Sequence, residues 1–264
     1  MGMRVRDLLT SRSHSTPPDT RTVDMHIKDE DTLLFIGDSI TDAGRDRTHS
    51  ASLGSGYVQE IAHTLRARAS AGPGPAVINK GLDGNRVYDL ESRWTTDVID
   101  HRPTVVTVGI GINDTWRRYD RGLISPVDEF EACLDRLLAD TARKLSARLV
   151  VITPFLLPVT SGQEAWYEDL SPRTDAVLRA ALANEARVVR ADLALLRAAE
   201  EQGTAELAPD GVHPSPLGHR LIADAWLAAV DPVRLEPAAA APCERRPVRP
   251  EGDPGRPVRD GVRG

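Results

Sequence analysis

The stretch Leu33–Asp42, which reads LLFIGDSITD, decides the fold of this 264-residue chain. Its first residues form an apolar run without the polar–apolar alternation of a half-exposed strand, so the run predicts a strand covered on both faces. The run stops abruptly at Gly37-Asp38-Ser39. Ser39 is therefore expected at the carboxyl end of a buried strand, which is where open parallel sheets bind their ligands.

Four more strands are predicted along the chain, separated by segments in which apolar residues recur at helical spacing. One helical segment follows Ser171-Pro172, which reads as an N-cap with proline at the first helical position. This alternation predicts an α/β protein, a three-layer α/β/α sandwich around a central five-stranded parallel sheet with right-handed crossovers. The predicted strands are Leu33–Gly37, Ala76–Asn79, Thr104–Ile110, Arg148–Phe155 and Arg187–Ala191.

Both ends of the chain differ in composition from the middle. Residues 1–24 are rich in Arg, Ser, Thr and Pro, and residues 236–264 alternate Pro, Arg, Gly and acidic residues. Such segments bury too little apolar surface to order themselves. We therefore predict a disordered extension at 1–24, a folded domain at 25–235 and a disordered tail at 236–264. The sequence leaves open whether translation starts at Met1 or at Met25.

Composition excludes several classes of function. The formal charge of −6 argues against a nucleic-acid or anionic-membrane partner. No apolar stretch approaches the ~20 residues that span a bilayer, and the amino-terminal residues lack the apolar core of a secretory signal. The two cysteines, Cys133 and Cys243, do not make a disulfide framework. We therefore expect a cytoplasmic protein, with the oligomeric state, a homo-oligomer included, left open.

Residues able to do chemistry cluster where the predicted strands end. The carboxyl ends of parallel strands meet at one edge of a sheet, so these segments are expected to lie close together. A serine there, with an aspartate and a histidine three residues apart, supplies a nucleophile, a base and a group that orients the base. The segments are Gly37–Ser39, Asn79–Asn85, Gly109–Asp114, Thr153–Phe155 and Asp210–His213.

Four of these segments, with the blocks GDSI, GLDGN, GIND and DGVHP, resemble the SGNH (GDSL-type) hydrolase family in order and spacing. The surrounding residues are most similar to bacterial acetylxylan esterases and related carbohydrate acetyl esterases. The resemblance implies a flavodoxin-like sandwich with Ser39 as nucleophile, His213 as base and Asp210 as its orienting carboxylate. It also implies an oxyanion hole built from the Ser39 backbone N–H, Gly84 and Asn113.

Each candidate residue also has a purely structural interpretation. Ser39 would cap the helix that follows it, Asp210-Gly211 would form only a turn, Gly84 would be a turn glycine with positive φ, and Asn113 would cap a strand end. The second block departs from the family at Leu82-Asp83, where a small serine often precedes the glycine, so the local turn stays open. The nucleophile elbow Gly-x-Ser-x-Gly of α/β-hydrolases is absent.

Aromatic residues are scarce, but several follow strand ends, where flat rings stack on sugar faces or wall a small acyl pocket. Trp116 and Phe155 are the predicted substrate contacts. Carboxylates at the same edge make a divalent-metal site conceivable. We expect instead that Asp38 and Asp114 hold loops by accepting backbone hydrogen bonds, that Asp42 is solvated, and that no metal or cofactor takes part.

The predicted function is a serine esterase that hydrolyses short-chain, in particular acetyl, esters of a carbohydrate or small glycoside through an acyl-enzyme. No run of large aliphatic residues in the loops indicates a tunnel for a long acyl chain. The alternatives are a lysophospholipase- or thioesterase-like hydrolase, a metal-dependent phosphohydrolase and a silent binding module. The expected partner is a small ester or an acetylated oligosaccharide, without nucleic acid or membrane insertion. Gly109-Ile110-Gly111 lacks the third glycine of a dinucleotide site.

Overall fold

The computed structural model describes residues 25–69 and 72–230. These residues form a central five-stranded sheet with helices around it. The strand order is β2-β1-β3-β4-β5, and every neighbouring pair is parallel. This is the doubly wound order of flavodoxin-like proteins, so the predicted fold class is confirmed. The strands are β1 (Thr32–Gly37), β2 (Ala76–Gly81), β3 (Val105–Gly109), β4 (Arg148–Ile152) and β5 (Arg187–Val189).

Helices connect the strands, as the apolar periodicity predicts. Short 3-10 turns at Ile99–His101 and Gln163–Trp166 add to the connections. The helices are α1 (Ser39–Asp42), α2 (Tyr57–Arg68), α3 (Val87–Asp97), α4 (Ile112–Arg121), α5 (Val127–Leu145), α6 (Tyr167–Ala183), α7 (Ala191–Gln202), α8 (Thr204–Leu207) and α9 (Pro216–Val230).

Two hydrophobic cores form, one on each face of the sheet. Successive side chains of a strand point to opposite faces, so Leu33 and Phe35 of β1 join one core, while Leu34 and Ile36 join the other. The first core receives apolar residues from α2, α7, α9 and the first turn of α6, and the second receives them from α3, α5 and the rest of α6. All four β1 side chains are completely buried, as the uninterrupted apolar run predicts.

Several strand ends differ from the prediction by one to three residues. β4 stops at Ile152 instead of Phe155. The next N–H, that of Thr153, still bonds to Val189 O at 3.0 Å, but Pro154 has no N–H with which to extend the ladder. β2 instead continues to Gly81, because its last residue stays in register with Gly37 of β1.

The prediction that α6 begins at Pro172 is wrong. The helix begins at Tyr167, directly after the 3-10 turn, and Pro172 lies inside it. A proline within a helix removes the hydrogen bond to the carbonyl four residues earlier, here that of Glu168. Both Pro172 and Glu168 are exposed, so water can solvate the freed carbonyl.

The predicted extension at 1–24 and tail at 236–264 lie outside the described residues. No helix in the described part of the chain is both long and apolar enough to traverse a bilayer.

Candidate active site

Ser39 stands on a sharp turn between β1 and α1. Asp38 is the helix N-cap, and its Oδ1 accepts a hydrogen bond from Ile40 N at 3.0 Å. Because Asp38 supplies the cap, the hydroxyl of Ser39 is free for another partner. Gly37 makes the turn possible, since a Cβ there would lie 2.3 Å from Gly109 O.

Asp210 and His213 lie on the connection between α8 and α9. Asp210 Oδ1 accepts hydrogen bonds from Val212 N at 2.9 Å and His213 N at 2.7 Å, so the carboxylate folds its own turn. Gly211 has a φ of +88°, a conformation that favours glycine. Its carbonyl accepts from Leu157 N at 2.8 Å. That contact fastens the turn to the segment after β4, at the carboxyl edge of the sheet.

Ser39, His213 and Asp210 form a continuous hydrogen-bonded series. His213 Nε2 lies 3.0 Å from Ser39 Oγ, and His213 Nδ1 lies 2.6 Å from Asp210 Oδ2. A carboxylate accepts only, so Nδ1 carries the ring hydrogen and Nε2 presents a lone pair to the serine. Burial acts to raise the pKa of Asp210, but hydrogen bonds from His213 and Val212 outweigh it and lower that pKa. The carboxylate is therefore ionised at neutral pH.

The two other predicted oxyanion-hole residues, Gly84 and Asn113, follow β2 and β3, the strands on either side of β1. Asn113, the second residue of α4, is 2% exposed, and its Nδ2 donates to Asn85 O at 3.2 Å. One amide hydrogen of Asn113 is left over. Gly84 lies in the connection between β2 and α3 with a φ of +74°. Within residues 25–69 and 72–230, no group accepts a hydrogen bond from the N–H of Ser39 or Gly84.

Two of the three edge carboxylates hold loops, as predicted. Asp38 accepts from Ile40 N, and Asp114 accepts from Val87 N at 3.3 Å and Ser125 Oγ at 3.0 Å. Burial raises the pKa of Asp38 to about 7 and that of Asp114 to about 6. The cause is the burial of both side chains, which are 2% and 0% exposed.

The prediction that Asp42 is solvated is wrong. Its side chain is buried, lies 3.6 Å from Arg45 Nε, forms an ion pair with Arg47 and accepts from Asp83 N at 3.3 Å. The cause is the brevity of α1, which carries Asp42 back against the end of β2. A Cβ on Gly81 would lie 2.2 Å from Asp42 N. In the described part of the chain, no three His, Cys, Asp or Glu side chains are grouped to hold a metal ion.

The two predicted substrate contacts lie in different surroundings. The ring of Trp116 lies 5.7 Å from that of His213, between centroids. Trp116 also contacts Trp166, which stacks on Tyr119 at 5.4 Å. Phe155 is 2% exposed and belongs to the core, because the segment after β4 turns inward over the sheet. The buried ring lines a small pocket together with Asp38 and Ile40, the two neighbours of Ser39 in the sequence.

A cleft of about 600 Å³ opens beside Ser39 and His213. Arg45, Arg47 and His219 line it, and none of the three is a predicted site residue. Its other lining residues are Asp42, Ala43, Gly44, Ser55, Asp83, Pro214 and Pro216. The arginines follow α1 in a loop without regular secondary structure. His219 lies only six residues after His213 in the sequence. That proximity could have identified it as a candidate site residue.

Known proteins resemble this chain in sequence and in fold. A family model for the GDSL-like lipase/acylhydrolase family matches residues 35–221. An acetylxylan esterase from Geobacillus stearothermophilus is 36% identical over 211 residues, covering 77% of this chain and 95% of the relative. A solved structure of an acetyl xylan esterase from that organism has a TM-score of 0.72 at 35% identity, covering 78% of this chain and 96% of the other.

A second solved structure, an alpha/beta hydrolase enzyme from the metagenome of Lake Arreo, Spain, has a TM-score of 0.71 at 34% identity. The match covers 76% of this chain and 95% of the other chain.

Structures of the Geobacillus esterase include catalytic mutants in which a serine, an aspartate or a histidine is replaced by alanine. That aspartate and histidine are three residues apart, as Asp210 and His213 are. The predictions of an SGNH (GDSL-type) hydrolase and of a carboxylic ester hydrolase are confirmed. This chain belongs to the GDSL-like lipase/acylhydrolase family.

Proposed function

We propose that this chain hydrolyses acetyl esters of a saccharide, such as an acetylated xylo-oligosaccharide, through an acetyl-enzyme on Ser39. The observation that carries the proposal is the hydrogen-bonded series of Ser39, His213 and Asp210 at the carboxyl edge of the sheet. The acetylxylan esterase with 36% identity supports the substrate class.

The proposed reaction has two steps. Ser39 Oγ attacks the ester carbonyl carbon while His213 Nε2 takes the hydroxyl proton, and the Asp210 carboxylate stabilises the imidazolium that forms. The tetrahedral intermediate collapses, and the sugar oxygen leaves with the proton from Nε2. Water then attacks the acetyl-serine with His213 as base, which releases acetate and restores the Ser39 hydroxyl.

We propose three donors for the oxyanion of each tetrahedral intermediate. They are the N–H of Ser39, the N–H of Gly84 and the unused amide hydrogen of Asn113. The absence of an acceptor for either backbone N–H among the described residues supports this role. Donors aimed at developing negative charge contribute about 3–4 kcal/mol each.

The lining of the cleft supports a saccharide over a long acyl chain. Its residues are charged, polar, proline, glycine or alanine, without a Leu, Ile, Val, Met or Phe. A long alkyl chain gains about 0.8 kcal/mol for each methylene that it buries, and no large aliphatic side chain lines this cleft to pack against such a chain. The hydroxyls of a sugar, in contrast, can replace their hydrogen bonds to water with hydrogen bonds to the charged and polar side chains of the cleft.

The test is acetate release from acetylated xylo-oligosaccharides, run beside p-nitrophenyl esters from acetyl to octanoyl. We expect release of acetate from the saccharides and a steep fall in kcat/KM beyond short chains. Ser39→Ala should abolish both activities with an unchanged circular dichroism spectrum. Preference for octanoyl over acetyl esters, or full activity of Ser39→Ala, would contradict the proposal.

We also propose a cytoplasmic location, whereas the sequence leaves the oligomeric state open. Fractionation of cells that produce the protein tests the location, and light scattering after size-exclusion chromatography determines the oligomeric state.

A further inference from the structure

His219 is a second histidine on the cleft, and the proposed catalytic steps do not use it. It lies on the first turns of α9, and its ring lines the same cleft as Ser39 and His213. The ring is parallel to that of Tyr57, at 20° between planes and 6.4 Å between centroids. A Cβ added to Gly56 would lie 2.7 Å from His219 Cε1. The imidazole therefore packs directly on the backbone and is held in one orientation.

The tautomer of His219 is determined by a backbone group. Tyr57 N donates a hydrogen bond to His219 Nδ1 at 3.2 Å. A backbone N–H is always a donor, so Nδ1 must be the unprotonated nitrogen and Nε2 must carry the hydrogen. Burial, and after it the charge of His213, lowers the pKa of His219 to about 4. The ring is therefore neutral at physiological pH.

The Nε2–H group of His219 has no acceptor within the described ranges 25–69 and 72–230. It is also not among the buried polar atoms that lack a partner. The group therefore reaches the solvent of the cleft that the ring lines. A donor whose orientation is already set by packing loses little conformational entropy when it binds a ligand.

We propose that the Nε2–H of His219 donates a hydrogen bond to a hydroxyl oxygen on the saccharide part of the ester, which makes His219 a specificity-determining residue. The proposal rests on the proposed function, because it assigns a subsite to the leaving sugar of that reaction. A neutral donor suits a hydroxyl oxygen, and the polar lining around it suits the remaining hydroxyls of a sugar. The acyl group needs no such donor.

Two substitutions of His219 test the roles of its two ring nitrogens one at a time. In His219→Asn, the side-chain oxygen takes the place of Nδ1 and still accepts from Tyr57 N, but the donor in the cleft is lost. In His219→Gln, the side-chain nitrogen reaches the place of Nε2 and keeps the donor, but the acceptor for Tyr57 N is lost. Each variant is assayed on monoacetylated xylobiose, whose leaving group bears hydroxyls, and on p-nitrophenyl acetate, whose leaving group bears none.

We expect His219→Asn to lose about tenfold in kcat/KM on acetylated xylobiose, mainly through KM, as for one lost hydrogen bond. On p-nitrophenyl acetate its kcat/KM should stay within about twofold. His219→Gln should keep the wild-type ratio between the two substrates, even if its Tm falls. An equal loss on both substrates in His219→Asn, or a reversed order of the variants, would overturn the inference.

The activity of the wild-type protein on the two substrates distinguishes a failure of the His219 proposal from a failure of the proposed function. If it hydrolyses both substrates and the ratio does not respond to His219→Asn, only the role of His219 fails. If it hydrolyses p-nitrophenyl acetate but not acetylated xylobiose, the saccharide substrate fails and the role of His219 fails with it.

Discussion

His213 Nδ1 lies 2.6 Å from Asp210 Oδ2, and the two residues are three positions apart in the chain. The same contact occurs elsewhere in the chain, where His49 Nδ1 lies 2.6 Å from Asp46 Oδ2, and these residues are also three positions apart. Both pairs are exposed, the second more than the first, and in the described part of the chain no serine bonds to the other ring nitrogen of His49. An aspartate–histidine pair at this spacing is therefore a local structure, and the approach of Ser39 to His213 makes one of the two pairs a candidate for catalysis.

Asp210→Asn should lower kcat on p-nitrophenyl acetate by about 10³–10⁴. The asparagine oxygen can still accept from Val212 N and His213 N, so the turn survives. Its NH₂ group then faces His213 Nδ1, which moves the ring hydrogen to Nε2 and removes the acceptor for the Ser39 proton. The measurement is steady-state kinetics, with Asp46→Asn as the matched control that keeps wild-type kcat. A loss in the control equal to that in Asp210→Asn would contradict the assignment.

Asn113→Ala should lower kcat by about 10²–10³ and leave KM within a few-fold, because the lost donor acts on charge present only in the transition state. Kinetics with p-nitrophenyl acetate, together with Tm, measure the effect. A rise in KM with unchanged kcat would show that Asn113 binds the ground state and not the oxyanion.

Asp114→Asn should change the pH dependence of stability. Burial raises the pKa of Asp114 to about 6, so between about pH 4 and pH 6 the folded protein binds more protons than the unfolded chain. Raising the pH through this window therefore costs the wild type stability, and an asparagine does not titrate. Relative to wild type, the variant should gain about 2–3 kcal/mol in unfolding free energy from pH 4 to pH 7.

The check for Asp114→Asn is urea denaturation of both proteins at the two pH values. The asparagine can keep both contacts, its oxygen accepting from Val87 N and its NH₂ donating to Ser125 Oγ. Other titrating groups are common to both proteins and cancel in the difference. A difference between the proteins that is the same at pH 4 and at pH 7 would contradict the prediction.

Gly37→Ala and Gly109→Ala form a matched pair, since the two glycines are register partners in β1 and β3. A Cβ on Gly37 would lie 2.3 Å from Gly109 O, whereas the nearest atom to a Cβ on Gly109 lies at 3.6 Å. Gly37→Ala should cost about 3 kcal/mol or more of unfolding free energy, because a backbone carbonyl would have to move. Gly109→Ala should cost less than about 1 kcal/mol. Equal Tm values for the two variants would contradict this account.

Dialysis against EDTA should leave kcat/KM for p-nitrophenyl acetate unchanged, because the proposed chemistry uses only a hydroxyl, an imidazole and hydrogen-bond donors. Assays with and without added Mg²⁺ or Zn²⁺ check it. Loss of activity on chelation and its return with a divalent ion would favour the phosphohydrolase alternative over the esterase.

Much of the site could be predicted from the sequence because its parts are local. The Asp210 carboxylate, the His213 ring and the turn between them lie within four residues, and Ser39 follows its own strand directly. Two other features of the site depend on contacts that are not local. The burial of Asp42 depends on β2, which is distant in the chain, and the burial of Phe155 depends on the path of the segment after β4 over the sheet.

The start of α6 shows a limit of propensity. Ser171-Pro172 carries the residue types of a helix start, yet the helix begins earlier, because the side chains of Tyr167 and Leu170 join the core. Burial of those residues outweighs one lost hydrogen bond on an exposed turn. The lost hydrogen bond can be predicted from Pro172 alone. The burial of Tyr167 and Leu170 cannot, because it depends on the rest of the fold.

By itself, then, the sequence determined the parallel sheet, its helical layers and the residue types at its carboxyl edge, because apolar periodicity and turn residues act over a few positions. Only the tertiary structure decided which of two aspartate–histidine pairs contacts a serine and which nitrogen of His219 faces the cleft. It also decided that the Asp42 side chain is buried against the end of β2. These arrangements depend on contacts between segments that are distant along the chain, and such contacts form only when the whole sheet and its helices pack together.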